Sequence, residues 1–139
     1  MAVTKPSSNS LVGRTLETLD MNEVGSTTDG VDMGVNGCSG VFIWADKLYA
    51  LHTEDESFSR DISTLETKIG TRASSITHVT IVSPHKYVAE ELKDLLTWTG
   101  KRSRVLIYDF DDSDEGIDDM FELVGKFSEK GKVSIEQIA

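Results

Sequence analysis

Two apolar runs joined by one amphipathic segment constrain this fold more than any other feature. His78-Val-Thr-Ile-Val-Ser83 and Arg104-Val-Leu-Ile-Tyr-Asp-Phe110 are rich in β-branched and aromatic residues, which suit strands. Between them Val88, Leu92, Leu95 and Leu96 recur at i, i+4, i+7 and i+8, which is one face of a helix. Ser83 suits an N-cap, Pro84 suits the first helical position, and Gly100 suits the stop. Two such strands joined through a helix should run parallel, with a right-handed crossover. The spacing therefore predicts a β-α-β unit over 78–110.

Upstream, Val41-Phe-Ile-Trp-Ala45 and Leu48-Tyr-Ala-Leu-His-Thr53 flank Asp46-Lys47 and read as a β-hairpin. Asp-Lys is not a favoured two-residue turn, so the register is open by about one residue. Pairing Ala45 with Leu48 puts Val41 opposite His52. Phe42 and Trp44 share one parity, as do Tyr49 and Leu51, so one hairpin face is strongly apolar. Ile62, Leu65, Glu66 and Ile69 predict a short helix stopped by Gly70. Asp112 and Glu115 have capping-box spacing, and Ile117, Met120, Phe121, Val124 and Phe127 then suggest a helix ended by Gly131. The alternation in Lys132-Val-Ser-Ile-Glu136 predicts an edge strand. Residues 1–30, rich in Ser, Thr, Asn and Gly, read as a flexible or loosely docked segment. Residues 31–139 read as a single α+β domain: a mixed β-sheet built from the hairpin and the β-α-β unit, with helices packed on the outside.

The charge excludes some functions. The net charge of −10 comes from 24 acidic and 14 basic residues. Eight of the acids lie between Asp109 and Glu122, which contains no Lys or Arg; without that window 16 acids face 14 bases. A basic nucleic-acid footprint is absent, so no nucleic-acid partner is expected. There is no run of eighteen apolar residues and no signal-like start, so the expectation is a cytoplasmic protein with no membrane partner. One cysteine, Cys38, excludes a disulfide framework and a Cys-rich zinc site. The histidines lack zinc-ligand spacing, so neither metal nor cofactor is expected. Asp109-Phe-Asp111 after an apolar strand resembles the first motif of haloacid dehalogenase-type phosphatases. That family needs further catalytic residues on later strands, and only 30 residues follow Asp109. A strand end followed by an acid-rich helix start explains the same residues. An EF-hand loop fails as well, because Asp114 would replace its glycine and Met120 its last ligand.

The chemistry points instead to Gly30-Val-Asp-Met-Gly34-Val-Asn-Gly37-Cys38-Ser-Gly40. Cys38 and His52 should share the open end of the hairpin. Cys38 and Val41 have opposite parity, so contact would rest on the glycines bending the chain back. A thiol, an imidazole and the backbone N–H groups of Gly37, Ser39 and Gly40 are the minimum set for attack on an amide carbonyl. Val35-Asn-Gly37-Cys38 followed by a hairpin bearing His52 resembles the cytotoxic necrotizing factor and chemoreceptor deamidase group. The resemblance spans about 33–53. It implies a toxin- or effector-type glutamine deamidase working through a thioester, with Cys38 as nucleophile and His52 as base. That group orients its His with a Thr hydroxyl or a backbone carbonyl; Asn36, Thr27, Thr28 and the Val35 carbonyl are the candidates here. Asn36 also stands where that group often has Ser. His78 and His85 are rival bases. The implied partner is a protein, basic if the acidic window meets it. The competing reading is a non-catalytic binding module that uses the acidic window 109–122 or the apolar hairpin face, with Cys38 an inert small hydrophobe.

Overall fold

The computed structural model describes residues 16–108 and 120–138. The protein is α+β, with two mixed β-sheets stacked as layers and helices on one outer face. The strands are β1 (Leu16–Thr18), β2 (Val24–Thr27), β3 (Gly30–Val35), β4 (Ser39–Trp44), β5 (Leu48–Thr53), β6 (His78–Ser83), β7 (Ser103–Ile107), β8 (Phe121–Lys126) and β9 (Val133–Gln137). Helix α1 spans Phe58–Ile69 and helix α2 spans Lys86–Leu95. One sheet has the order β2-β5-β4-β6-β7, the other β1-β3-β8-β9.

The five-stranded sheet contains the expected hairpin and β-α-β unit. Strands β4 and β5 are antiparallel, while β6 and β7 are parallel and joined by α2. One face of this sheet receives Phe58, Ile62, Leu65 and Ile69 of α1 and Val88, Ala89 and Leu92 of α2 against Val41, Ile43, Leu51 and Ile81. The other face, carrying Phe42, Trp44, Leu48, Ala50 and Val82, packs on Val31, Met33 and Val35 of β3 and Phe121 and Leu123 of β8. Burying such side chains contributes about 1.5–3 kcal/mol each, so this inter-sheet core is a main source of stability. Both faces of the hairpin are thus covered within the chain, and Phe42 and Trp44 are fully buried.

Three expectations change. The glycine-rich stretch, whose glycines read as sharp turns or close approaches, is over 30–35 the strand β3, paired along its whole length with β8. Residues 16–18 and 24–27, expected to be flexible or loosely docked, are strands that join one sheet each, and Leu19 between them is buried; residues 1–15 lie outside the described residues. The helix expected after Asp112 is contradicted over Phe121–Lys126, which is β8. The spacing of Met120, Phe121, Val124 and Phe127 imitates a helical face, but Phe121, Leu123 and Gly125 also alternate, and pairing with β3 selects that period. Gly125 is required there, since a Cβ would come within 2.7 Å of the Phe42 ring. The rest of the acidic window, 109–119, lies outside the described residues. The edge strand expected at 132–136 is β9, on the edge of the smaller sheet. Among the described residues no helix is long and apolar enough to cross a membrane.

Candidate functional site

The hairpin register differs from the sequence expectation by one residue. Trp44 pairs with Leu48, so His52 lies opposite Gly40 and not Val41. A one-residue shift exchanges the two faces of a strand, and here it removes the parity conflict. Directly paired residues share a face, so His52 joins Gly40, Phe42 and Trp44 on the inter-sheet side. Cys38 belongs to the same core cluster. Continued one residue past Ser39–Thr53, where the pairing ends, that register would set Cys38 on the face of His52 and diagonal to it, a relation in which Cα atoms stand roughly 7–8 Å apart.

Cys38 follows the turn that carries the chain from β3 in one sheet to β4 in the other. Gly37 makes that turn with φ of +84°, a conformation that an L side chain resists. Cys38 is 7% exposed. Burial pushes its thiol above the ordinary range and the charge of Glu54 pushes the same way, while the Asn36 backbone N–H lowers it. The thiol thus holds its proton at neutral pH. Asn36 contributes to the sulfur through its backbone.

His52 is 4% exposed, and its orientation is set from outside the hairpin. Its Nδ1 lies 3.1 Å from the Leu19 carbonyl oxygen. A carbonyl only accepts, so Nδ1 carries a proton, and in the neutral ring Nε2 is the acceptor. Nε2 is buried and has no hydrogen-bond partner among the described residues. The residues after Leu19 are clamped onto β5: Asn22 N–H donates to the His52 carbonyl at 2.6 Å, and His52 N–H donates to the Glu23 carbonyl at 3.1 Å. Asn22, at φ +67°, sends its side-chain amide to Ser57 Oγ and Asp61 Oδ2, both at 2.7 Å. Thr53 Oγ1 donates to the same Asp61 oxygen at 2.8 Å. Burial pushes the Asp61 carboxyl up, but hydrogen bonds from Asn22, Thr53, Ser57 and Arg60 outweigh it and hold the group below its ordinary value.

The oxyanion candidates are more engaged than the sequence suggests. Tyr108 Oη donates to the Cys38 carbonyl at 2.6 Å, and the Gly37 backbone N–H faces that hydroxyl. Burial is the main reason the Tyr108 phenol is pushed far up. Ser39 Oγ and Ser83 Oγ are 2.9 Å apart and both residues are buried. This pairing uses the Ser83 hydroxyl expected to cap α2, which starts at Lys86 with His85 at its N-cap. Gly40 has no room for a Cβ, which would meet Met33 Sδ at 2.9 Å.

The other candidates separate by position. Thr27 pairs with Leu48 at the far end of β5, its hydroxyl accepts from Asp29 N–H, and Thr28 is exposed. Val35 pairs with Phe121. The Leu19 carbonyl fills the orienting position for which those groups were candidates. His78 lies opposite Trp44, at the other end of the sheet, bonded to Thr77 Oγ1. His85 stays at the Cys38 end, stacked on Tyr87 at 5.3 Å. Among the described residues no group of three His, Cys, Asp or Glu side chains could hold a metal ion.

Sequence reading missed Leu19, Asn22, Asp61 and Tyr108. Only Asp61 carried a usable signal, a carboxylate beside Ile62 on the apolar face of a helix. No family model matches the chain, and no curated protein matches it.

Proposed function

We propose that the protein is a thiol amidohydrolase that deamidates glutamine side chains of a protein substrate, with Cys38 as nucleophile and His52 as general base. The observation that carries the reading is the His52 ring, held through Nδ1 by the Leu19 carbonyl, with an unpartnered Nε2 on the face and at the end where Cys38 lies. This is the geometry a base needs when a second group orients it. Because the thiol is pushed up, the pair works by general-base catalysis and not as a preformed ion pair. As Sγ bonds to the amide carbon, the thiol proton passes to Nε2. The imidazolium then protonates the leaving nitrogen, and ammonia departs. Water, activated by the same Nε2, hydrolyses the thioester to a glutamate side chain and restores the thiol.

Burial supports a side-chain amide over a backbone one. A thiol 7% exposed is reachable by a slender glutamine side chain more easily than by a peptide backbone. A protein substrate is supported by the surface around this end. The exposed large hydrophobic residues among those described are Met21, Tyr87 and Ile107. Met21 adjoins the Asn22 clamp on His52, Tyr87 opens α2, and Ile107 pairs with Ser83, so all three sit at the Cys38 end of the sheet. Spread from the β2 edge to the β7 edge, they match the breadth of a protein substrate and not that of a small molecule. The test is quantitative mass spectrometry of a whole protein extract treated with wild type, Cys38→Ser or His52→Ala. Wild type should convert specific glutamines to glutamates, and both variants should not. Equal conversion by Cys38→Ser would overturn the reading.

A further inference from the structure

The opposite end of the molecule holds a cavity of about 400 Å³ where the edge strand of one sheet meets a hairpin of the other. Arg104 of β7, Val124 and Lys126 of β8, Glu129 and Lys132 of the β8–β9 turn, and Ser134 of β9 line it. Three cations therefore converge on one concavity in a chain whose net charge is −10. Among the described residues only Lys126 has a carboxylate partner there, Glu129 at 3.4 Å. Arg104 Nη1 donates to the Gly131 carbonyl at 3.4 Å, which fixes the guanidinium without neutralising it. Lys132 makes no ion pair among the described residues. The cavity carries a local charge of about +2 when Glu129 is counted against the three cations.

The wall is fixed and not a loose turn. Trp44 Nε1 donates to the Lys126 carbonyl at 2.9 Å, and the buried Thr80 hydroxyl donates to the Gly131 carbonyl at 2.8 Å. Phe127 N–H donates to the Asp29 carbonyl at 2.8 Å. Gly131 takes φ of +79° beside the His78 ring. The core thus sets the turn that presents Lys126, Glu129 and Lys132, so little ordering cost remains when a ligand arrives.

We propose that this cavity is a binding site for a small molecule bearing a phosphate group. A phosphate dianion matches the local charge. A guanidinium fork and two ammonium groups are the usual donors for it, and Ser134 adds a hydroxyl. The volume suits a phosphate with a small organic part, since ligand pockets span about 300–1,000 Å³. The global negative charge opposes non-specific anion uptake, so binding here reports the local arrangement. The site is independent of Cys38: His78, beside Gly131, lies at the far end of β6 from Ser83.

The test is amide-resolved NMR titration of the full chain with inorganic phosphate and with glycerol 3-phosphate, against chloride at equal ionic strength. Saturable shifts at Gly131, Lys132 and Ser134 are expected with both phosphates and not with chloride. The ester should bind more tightly if the organic part enters the cavity. Arg104 and Lys132 are exposed, so Arg104→Gln with Lys132→Gln should preserve the fold while weakening binding at least about tenfold. Lys93→Gln on α2 should leave binding unchanged. Absence of saturable shifts with either phosphate, or equal binding by the double variant, would overturn the proposal. Inorganic phosphate binding as tightly as the ester would overturn the organic part of it.

Discussion

Replacing Asp61 by Ala should loosen His52 without touching it, and the size of the effect can be worked from the contacts. The carboxylate accepts from Asn22, Thr53, Ser57 and Arg60, and Ser57 can keep the Glu54 carbonyl as its acceptor. The Arg60 side chain is 69% exposed, so its share is near zero. Thr53 is fully buried, and an unpaired buried hydroxyl costs about 1–3 kcal/mol. Asn22 is exposed and can turn to water, which limits its loss to about 1 kcal/mol. The variant should therefore lose about 2–4 kcal/mol at pH 7, read as a lower urea midpoint with an unchanged slope. The sign with pH follows from the lowered carboxyl. Its folded value lies below its unfolded one, so its stabilisation is complete above about pH 5 and fades as pH falls through the folded value. The gap between wild type and variant should hold from neutral pH down to about pH 5 and then narrow. The Asn22 turn should also move, and the His52 ring ¹⁵N shifts should lose the pure Nδ1–H pattern. A loss under about 1 kcal/mol, a gap that stays constant into acid, or unchanged His52 shifts would refute the clamp.

Two further outcomes follow from the same geometry. Alkylation of Cys38 by iodoacetamide should rise with a pH midpoint above the ordinary thiol range, and Glu54→Gln should lower that midpoint; the raised folded value also means that stability declines as pH climbs past about 8.5, which urea midpoints across the alkaline range would check. Gly125→Ala should cost about 1–3 kcal/mol by thermal or urea denaturation, because its Cβ would meet the Phe42 ring at 2.7 Å, whereas Gly70→Ala meets no neighbour and should cost only the strain of a left-handed φ.

The parts of the fold with strong local patterns were legible in the sequence. The β-α-β unit and the hairpin each carry one period with no competitor, and both appear in the five-stranded sheet. The second sheet was hidden. Strand β3 has glycines at Gly30 and Gly34, and β2 has only Val24 as a sizeable apolar residue, so their strand character comes from pairing and not from propensity. Phe121–Lys126 fits two periods, and only the partner strand decides between them. The candidate site was legible at Cys38 and His52, the two residues with distinctive chemistry. Its support was not, because Leu19 acts through a carbonyl that any residue possesses, and Asn22 and Asp61 lie 39 positions apart. The one-residue register error shows why: the hairpin turn is Asp46-Lys47 extended by Ala45, and no local signal chooses it.

The most direct test of the central claim is the rate at which a glutamine-peptide chloroketone forms an adduct with the chain, followed by intact mass and peptide mapping. A base at His52 predicts one adduct, on Cys38, with a rate at pH 7 that falls about 100-fold or more in His52→Ala, the usual scale of general-base assistance. An equal rate in His52→Ala, or an adduct on any other residue, would contradict it.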